Sequence, residues 1–384
     1  GGGGAYDAFI LRFTSVGALT WATYYGGSGH DEAHAIAVDG ANNIYITGST
    51  ASAPASFVPV AWAGAFNDAT YGGASNGYGD IFILRFTNAG VLAWATYYGG
   101  ATDNIGYSIA CDGANNIYVT GSTEGGFPAL AWAGAYNDAS FGGGSGFTPT
   151  DAFILRFTSA GALAWATYYG GSDNEEGSWS YSTWDNIAFD ACDNVFISFP
   201  TLSTDINPFG NTTCGQYYDA NYNGGISSGD VFISKFSNAG VLLWATYFGG
   251  DGDDYREALE VDNSGNLYVG GEWTAVTSSA TYPITNLAGA YNDATFNGGG
   301  DDSYIAKFEP LVPTVTPSQT ACATCNGTAT VTLSSACGIS PYTYSWSTAP
   351  VQTTATATGL CAGTYTATVA ACGGISGGWN NTYT

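Results

Sequence analysis

Carboxylates are the residues of this chain best placed to do chemistry. An acidic loop follows each of four copies of a Tyr-Tyr-Gly-Gly or Tyr-Phe-Gly-Gly word, and it is densest at Asp251, Asp253 and Asp254. Carboxylates grouped with Gly and Asn carbonyls suit hard cations, so these three residues are the candidate ligands for Ca²⁺. The spacing matches no EF-hand loop, and solvated acidic turns are the favoured alternative. The other acidic loops contain Asp31 and Glu32, then Asp103, then Asp173, Glu175 and Glu176.

Catalysis by other side chains has little support in the sequence. The two histidines, His30 and His34, lie together in the first copy and have no counterpart in the others. No Gly-x-Ser-x-Gly word marks a nucleophile for them. A pair of carboxylates could serve a glycosidase, and the most divergent copy, at residues 178–184, is where such a pair would be sought. Because similar acidic loops recur in every copy, we expect architecture rather than one active site, and no enzyme.

A long insertion in each repeat carries a second motif, Trp-Ala-Gly-Ala-(Phe/Tyr)-Asn-Asp. Its candidate ligand residues are Trp62, Asn67 and Asp68 in one copy and Trp132, Asn137 and Asp138 in the next. Later copies are 287–293 and the degenerate 214–225. Long loops on a rigid scaffold often bind ligands, and exposed Trp rings stack on sugars. The alternative is that these aromatic residues cap the edges of the scaffold.

The elements that position these groups are tandem repeats. The word Trp-Ala-Thr-Tyr-(Tyr/Phe)-Gly-Gly begins at Trp21, Trp94, Trp165 and Trp244. A strand-like word related to Asp-x-Phe-Ile-Leu-Arg-Phe begins at Asp7, Asp80, Asp151, Asp230 and Asp302. A fixed period of this kind is typical of units that bury their apolar faces against each other.

Each repeat contains four strand-like words separated by Gly/Asn/Asp turns, and no segment has a convincing helical period. Four short antiparallel strands in tandem predict the blades of a β-propeller over residues 1–308. The blade number stays open. A ring of four or five blades, with 19–25 supplying an outer strand to the blade of 259–308, and an incomplete arc are both consistent with the words.

Charge narrows the class of partner. The chain of 384 residues has 31 acidic and 6 basic residues, a formal net charge of -25, and no apolar run long enough to span a bilayer. It should repel phosphate backbones and anionic lipid, so we expect no nucleic-acid partner and no membrane insertion. Five of the six cations occupy one slot of the strand word, and we expect them to pair with acids of their own repeat, such as Asp39, Asp112, Asp190 or Asp262.

A different composition follows the repeats. A Pro-rich stretch at 309–318 predicts a linker, and Thr-rich alternation over 319–384 predicts a small immunoglobulin-like β-sandwich. Five of eight cysteines fall in this tail, which favours disulfides and an oxidising, extracellular setting over a zinc site at Cys322 and Cys325. In the repeats, Cys192 could pair with Cys214, and Cys111 is predicted to be a buried thiol. Candidate glycosylation sites are Asn211, Asn326 and Asn380.

Two family resemblances rest on these words. The Asp-Ala-Phe-Ile-Leu-Arg-Phe and Trp-Ala-Thr-Tyr-Tyr-Gly-Gly words, with Asn-Ile-Tyr-Ile-Thr-Gly, resemble the SBBP-type β-propeller repeat of secreted bacterial proteins over residues 5–308. The tail at 319–372, with Pro-Tyr-Thr-Tyr-Ser-Trp, resembles the SprB-type repeat of gliding-associated surface adhesins. Both resemblances imply secretion and display on a bacterial surface. They lead to the expectation of a non-enzymatic structural or adhesive protein, a processed or partial chain that self-associates into a fibre, with a glycan-binding propeller as the alternative.

Overall fold

The computed structural model describes residues 6–144, 149–175, 186–208, 217–224, 229–274, 283, 301–308, 314–318, 325–332, 343–361, 363, 365–370 and 379–383. These residues are all-β and contain no helix. Seventeen strands belong to the repeats and six to the tail. The repeat strands are β1 Ala8–Phe13, β2 Leu19–Tyr25, β3 Asp31–Val38, β4 Ile44–Thr50, β5 Asp80–Phe86, β6 Leu92–Tyr98, β7 Asn104–Cys111, β8 Ile117–Thr123, β9 Asp151–Phe157, β10 Leu163–Tyr169, β11 Ile187–Phe189, β12 Val195–Thr201, β13 Asp230–Phe236, β14 Leu242–Phe248, β15 Asp253–Val261, β16 Leu267–Thr274 and β17 Asp302–Phe308.

The repeat strands form antiparallel sheets in chain order, as propeller blades do. Blade 1 is β3 to β6, blade 2 is β7 to β10 and blade 3 is β11 to β14, each a four-stranded meander. Blade 4 has three strands, β15 to β17, and β1 pairs with β2 in an N-terminal hairpin. The hairpin strands carry the words of the third and fourth strands of a blade.

A recurring turn joins the first two strands of each blade. In blade 1, the Asp39 carboxylate accepts hydrogen bonds from the backbone N–H groups of Ala41 and Asn43, both at 2.8 Å. Asn42 has a φ of 62°, a conformation that Asn tolerates better than most residues. The turn therefore follows from the Asp-x-x-x-Asn spacing that the repeats share.

Aromatic side chains hold adjacent sheets together. The Trp94 indole in the last strand of blade 1 lies edge-on to Phe157 in the third strand of blade 2, with ring centroids 5.6 Å apart. The same contact joins Trp21 to Phe86, Trp165 to Phe236 and Trp244 to Phe308. Trp94 and Phe157 are fully buried, so each junction is a hydrophobic core of its own.

The proposed role of Leu19–Tyr25 as the outer strand of the last blade is wrong, because these residues form β2 and pair with β1. The first strand word, at Asp7, supplies β1 of this hairpin. In the described part of the chain both end sheets leave apolar side chains in solvent. Phe9 is 64% exposed, whereas its counterpart Phe82 is fully buried, and Ile305 is 84% exposed, whereas Ile83 is fully buried.

The tail forms two three-stranded sheets around one core. Its strands are β18 Thr314–Ser318, β19 Gly327–Thr332, β20 Thr343–Trp346, β21 Thr356–Leu360, β22 Tyr365–Ala370 and β23 Trp379–Tyr383, in the orders β18-β19-β21 and β20-β22-β23. Trp346 of one sheet packs in a cluster with Val331 and Leu360 of the other. The predicted linker at 309–318 is too long, because residues Thr314–Ser318 pair with β19. Pro317 is compatible with this place because β18 is an edge strand.

Candidate functional site

The most unusual polar groups of the repeats lie where one blade meets the next. Asp80 opens the third strand of blade 1, and Asn104 opens the first strand of blade 2; both are buried. Between them lies Gly99, where an added Cβ would stand 2.5 Å from Asp80 Oδ1 and 3.0 Å from Asn104 Nδ2. Glycine is required here because the backbone passes directly over the two polar side chains.

Three further junctions place two carboxyl groups in these positions. The pairs are Asp7 with Asp31, Asp151 with Glu175, and Asp230 with Asp254. In each pair the second residue follows the first by 24 positions, as Asn104 follows Asp80. This constant spacing is the signal in the sequence that reveals the pairs.

Burial changes the acidity of these groups. It raises the pKa of Asp80 and of Asp230 to about 7, although each still accepts a backbone N–H bond, from Gly72 at 2.7 Å and Asn223 at 2.8 Å. Burial, together with the charge of Asp151, also holds the pKa of Glu175 well above its usual range. A protonated carboxyl can donate a hydrogen bond, as an Asn amide does, so the pairs Asp151–Glu175 and Asp230–Asp254 suit the sharing of one proton.

Some carboxylates of the acidic loops are buried anchors, whereas Asp173 is exposed. Asp103 is 2% exposed and accepts backbone N–H bonds from Ser75, Asn76 and Gly79 at 2.8–3.0 Å. These donors belong to the end of the insertion, so Asp103 holds the returning chain in place. In blade 4, Asp253 likewise accepts from the Gly229 N–H at 3.1 Å.

The candidate calcium residues fit this structural role better than a cation site. Asp254 Oδ2 accepts from the Gly250 N–H at 3.0 Å and lies at the junction with Asp230, while Asp253 is turned toward Gly229. N–H donors face the carboxylate oxygens where a cation would need further oxygen ligands. Within the described residues no group of three or more His, Cys, Asp or Glu side chains is arranged to hold a metal. Calcium at Asp251, Asp253 and Asp254 stays a prediction.

The insertion motif bridges its own blade and the next one. The Trp62 indole lies edge-on to Trp94, with the Arg85 guanidinium 4.3 Å from its ring centroid. It also lies against the turn of blade 2, where the N–H of Phe66 donates to the Gly161 carbonyl at 2.9 Å. The indole is therefore half-buried, and the cation covers one of its faces.

The polar residues of the motif close its turn and anchor it to the last strand of the blade. The Asn67 amide accepts from the Trp62 N–H at 2.8 Å and donates to the carbonyls of Trp62 and Ala65. The Asp68 N–H donates to Thr96 Oγ1 at 2.8 Å. The second copy repeats these contacts: Trp132 lies 4.6 Å from Arg156, Asn137 closes the same turn, Asp138 bonds Thr167, and Tyr136 bonds Gly240. The copy at 287–293 lies outside the described residues.

The predicted pairing of the strand-word cations with acids is confirmed for Lys235 but not as a direct ion pair for Arg85 or Arg156, and Arg12 donates to the Asn88 carbonyl. Lys235 forms the predicted ion pair with Asp190 at 2.9 Å. Arg85 instead donates to the Tyr45 hydroxyl at 3.2 Å, which in turn donates to Asp39 at 3.2 Å. Arg156 likewise donates to Tyr118 at 2.9 Å.

The histidines lie around one carboxylate on the first strand of blade 1. Glu32 is 3.1 Å from His30 Nε2 and 3.5 Å from His34 Nε2. The hydrogen bond from His34 is the main reason that the pKa of Glu32 is lowered. His34 also stacks on Tyr107 of blade 2, which favours a packing role.

The cysteine and sequon predictions have mixed outcomes. Cys325 is bonded to Cys361, which confirms a disulfide in the tail and removes Cys325 as a zinc ligand. Cys192 is also disulfide-bonded, but Cys214 lies outside the described residues. Cys111 is a free thiol that is half-buried rather than fully buried, and burial raises its pKa to about 12. Asn326 is exposed, whereas Asn211 and residues 178–184 lie outside the described part and Asn380 stays a prediction.

The fold and the repeated junctions define a β-propeller protein. Two segments, residues 20–54 and 93–128, match the family model described as the SBBP beta-propeller repeat. Each segment spans the last strand of one sheet and the first two strands of the next.

Among curated proteins, an uncharacterized WD repeat-containing protein of Acanthamoeba polyphaga mimivirus is 23% identical over 325 residues, covering 73% of this chain and 22% of that protein. The chain thus spans about a fifth of this relative. A protein of unknown function from Dyadobacter fermentans aligns with a TM-score of 0.36 at 8% identity, covering 93% of this chain and 95% of the other. A fungal alcohol oxidase in complex with copper aligns with a TM-score of 0.28 at 11% identity, covering 98% and 95%. These TM-scores are too low to inform function.

Proposed function

We propose that this protein is a secreted, non-enzymatic structural or adhesive protein of a bacterial surface, and that it serves as a subunit of an extracellular fibre. The observation that carries the proposal is the use of the repeated motifs. Trp62, Asn67 and Asp68 bind neighbouring parts of the scaffold, as do their counterparts in the next repeat. Residues that recur in every unit and tie it to the next are what a rigid structural block needs.

Secretion is part of the proposal and rests on separate support. The disulfide between Cys325 and Cys361, and the bonded state of Cys192, are typical of oxidising compartments. The resemblance of the tail to SprB-type repeats points the same way. No apolar helix of membrane-spanning length occurs among the described residues.

Glycan binding is the second candidate, with surface glycans as the partner. Part of the Trp62 and Trp132 surfaces stays open to solvent, and aromatic rings of this kind stack on sugars. Arg85 and Arg156 occupy one face of each indole, which leaves less area for a sugar ring. The fibre is therefore the better supported function.

Negative-stain electron microscopy of material from the native source tests the proposal. We expect regular filaments, and their loss on addition of a calcium chelator would assign the loop at Asp251, Asp253 and Asp254 to calcium. Filaments that persist with chelator would support the fibre and refute calcium. Discrete particles at all concentrations would refute the fibre, and glycan-array binding would then test the second candidate.

A further inference from the structure

The N-terminal hairpin and blade 1 border a mostly apolar groove. The groove has a volume of about 310 Å³. Its walls are formed by Ile10, Arg12 and Phe13 of β1 and by Ile36 and Val38 of β3. The edge of β1 that faces away from β2 has no strand beside it in the described structure.

Equivalent residues in the later blades show what such a groove normally holds. Ile36 is 60% exposed, whereas its counterpart Ile109 in blade 2 is 3% exposed. Ile109 lies in one buried cluster with Tyr45 from the second strand of blade 1. Ile187 shares a cluster with Tyr118, and Leu259 shares one with Phe196. At each of these three junctions the position is therefore buried together with a residue from the second strand of the preceding blade.

The edge of β1 matches that strand in detail. In blade 1, Tyr45 of β4 lies opposite Arg85 of β5, and the Arg85 guanidinium donates to its hydroxyl. Arg12 occupies the same place in β1 as Arg85 does in β5, and it lines the groove. A strand paired with β1 in this register would place its Tyr between Arg12 and Ile36.

We propose that the open edge of β1 and this groove accept an extended strand from a partner polypeptide, with the alternating aliphatic-Tyr-aliphatic-Thr-Gly sequence of β4 and β8. Main-chain hydrogen bonds to the edge would hold the strand, and the Tyr pocket would select it. The proposal rests on the fold and not on the proposed fibre, so either can fail without the other.

A fluorescent peptide with the sequence of residues 116–123, titrated with the whole protein, tests the proposal by fluorescence anisotropy. We expect saturable binding, and slower amide hydrogen exchange along Ala8–Phe13 in the complex. A peptide with Phe at the position of Tyr118 should bind about three- to tenfold more weakly, because it loses the hydrogen bond to Arg12. A scrambled peptide should not bind.

Matched variants of the protein separate this site from nonspecific adhesion. Ile36→Asp puts a charge in the groove and should weaken binding by at least about tenfold. Ile305→Asp changes an exposed isoleucine in blade 4, away from the groove, and should leave binding unchanged. Both positions are exposed, so both variants should fold. No saturable binding, or binding that Ile36→Asp and Ile305→Asp affect alike, would overturn the proposal.

Discussion

Replacement of Asp80 by Asn should change how the stability of the repeats depends on pH. Burial raises the pKa of Asp80 to about 7, from an ordinary value of 3.8. The folded protein therefore holds this proton more tightly than the unfolded chain does. The free energy of unfolding should fall as the pH rises through the window from about 4 to about 7, and then level off. The Asn variant lacks the titrating group and should not show this part of the fall.

The size of the effect follows from the shift. A rise of about 3 pKa units corresponds to about 4 kcal/mol at 1.36 kcal/mol per unit, and this is an upper limit. Asp80 is only 1% exposed, so water screens its charge little. Relaxation of the site would still lower the free-energy difference, and we expect a value between about 2 and about 4 kcal/mol. At pH 8 we expect Asp80→Asn to be more stable than the wild type by about this amount. At pH 4 the two proteins should be nearly equal.

Urea denaturation followed by tryptophan fluorescence, at pH 4.5 and pH 8 with chelator throughout, measures this difference. Asn104→Asp is the matched variant, because it restores the second carboxyl that other junctions have, and it should steepen the fall with pH. If the urea midpoints of the wild type and Asp80→Asn differ by the same amount at both pH values, Asp80 stays ionised in the folded protein. The argument that burial raises the pKa of Asp80 would then be wrong.

Three other substitutions test the packing and the ion pair. Gly99→Ala should lower the free energy of unfolding by about 1–3 kcal/mol, because its Cβ would collide with the junction pair, whereas Gly270→Ala, with its nearest atom 3.7 Å away, should change it by less than about 0.5 kcal/mol; urea midpoints compare the two. Burial raises the pKa of Asp190, but Lys235 and hydrogen bonds outweigh it and lower that pKa. Lys235→Met should therefore destabilise the protein by about 1–3 kcal/mol at pH 7. The difference from the wild type should shrink below about pH 4, because Asp190 is then protonated. Trp94→Ala empties a fully buried site and should cost about 3–5 kcal/mol, and thermal or urea unfolding that matches the wild type would contradict the junction core.

The repeats made the fold predictable, whereas the role of each polar group was not. Segments that alternate aromatic and β-branched residues form buried strands where neighbouring sheets cover them, as at Phe82. Composition predicts a solvated acidic loop at Asp103, because it does not reveal that this carboxylate faces backbone donors from a loop 24–28 residues earlier. Likewise, Trp62 has the composition of a sugar platform, and only the approach of Arg85 shows that one face is covered. Contacts between distant segments decide these cases, and a local pattern does not encode them.

Differences between repeats indicate which contacts work as units. In blade 1 the cation is Arg85, and it reaches the acid of its turn through the Tyr45 hydroxyl. In blade 3 the tyrosine is replaced by Phe196, which has no hydroxyl, and the cation is Lys235, which bonds Asp190 directly. The aspartate of the turn is thus bonded through an Arg–Tyr combination in blade 1 and directly by a lysine in blade 3. The cation and the aromatic residue thus differ together between these two blades, and the bonded turn aspartate is kept in both.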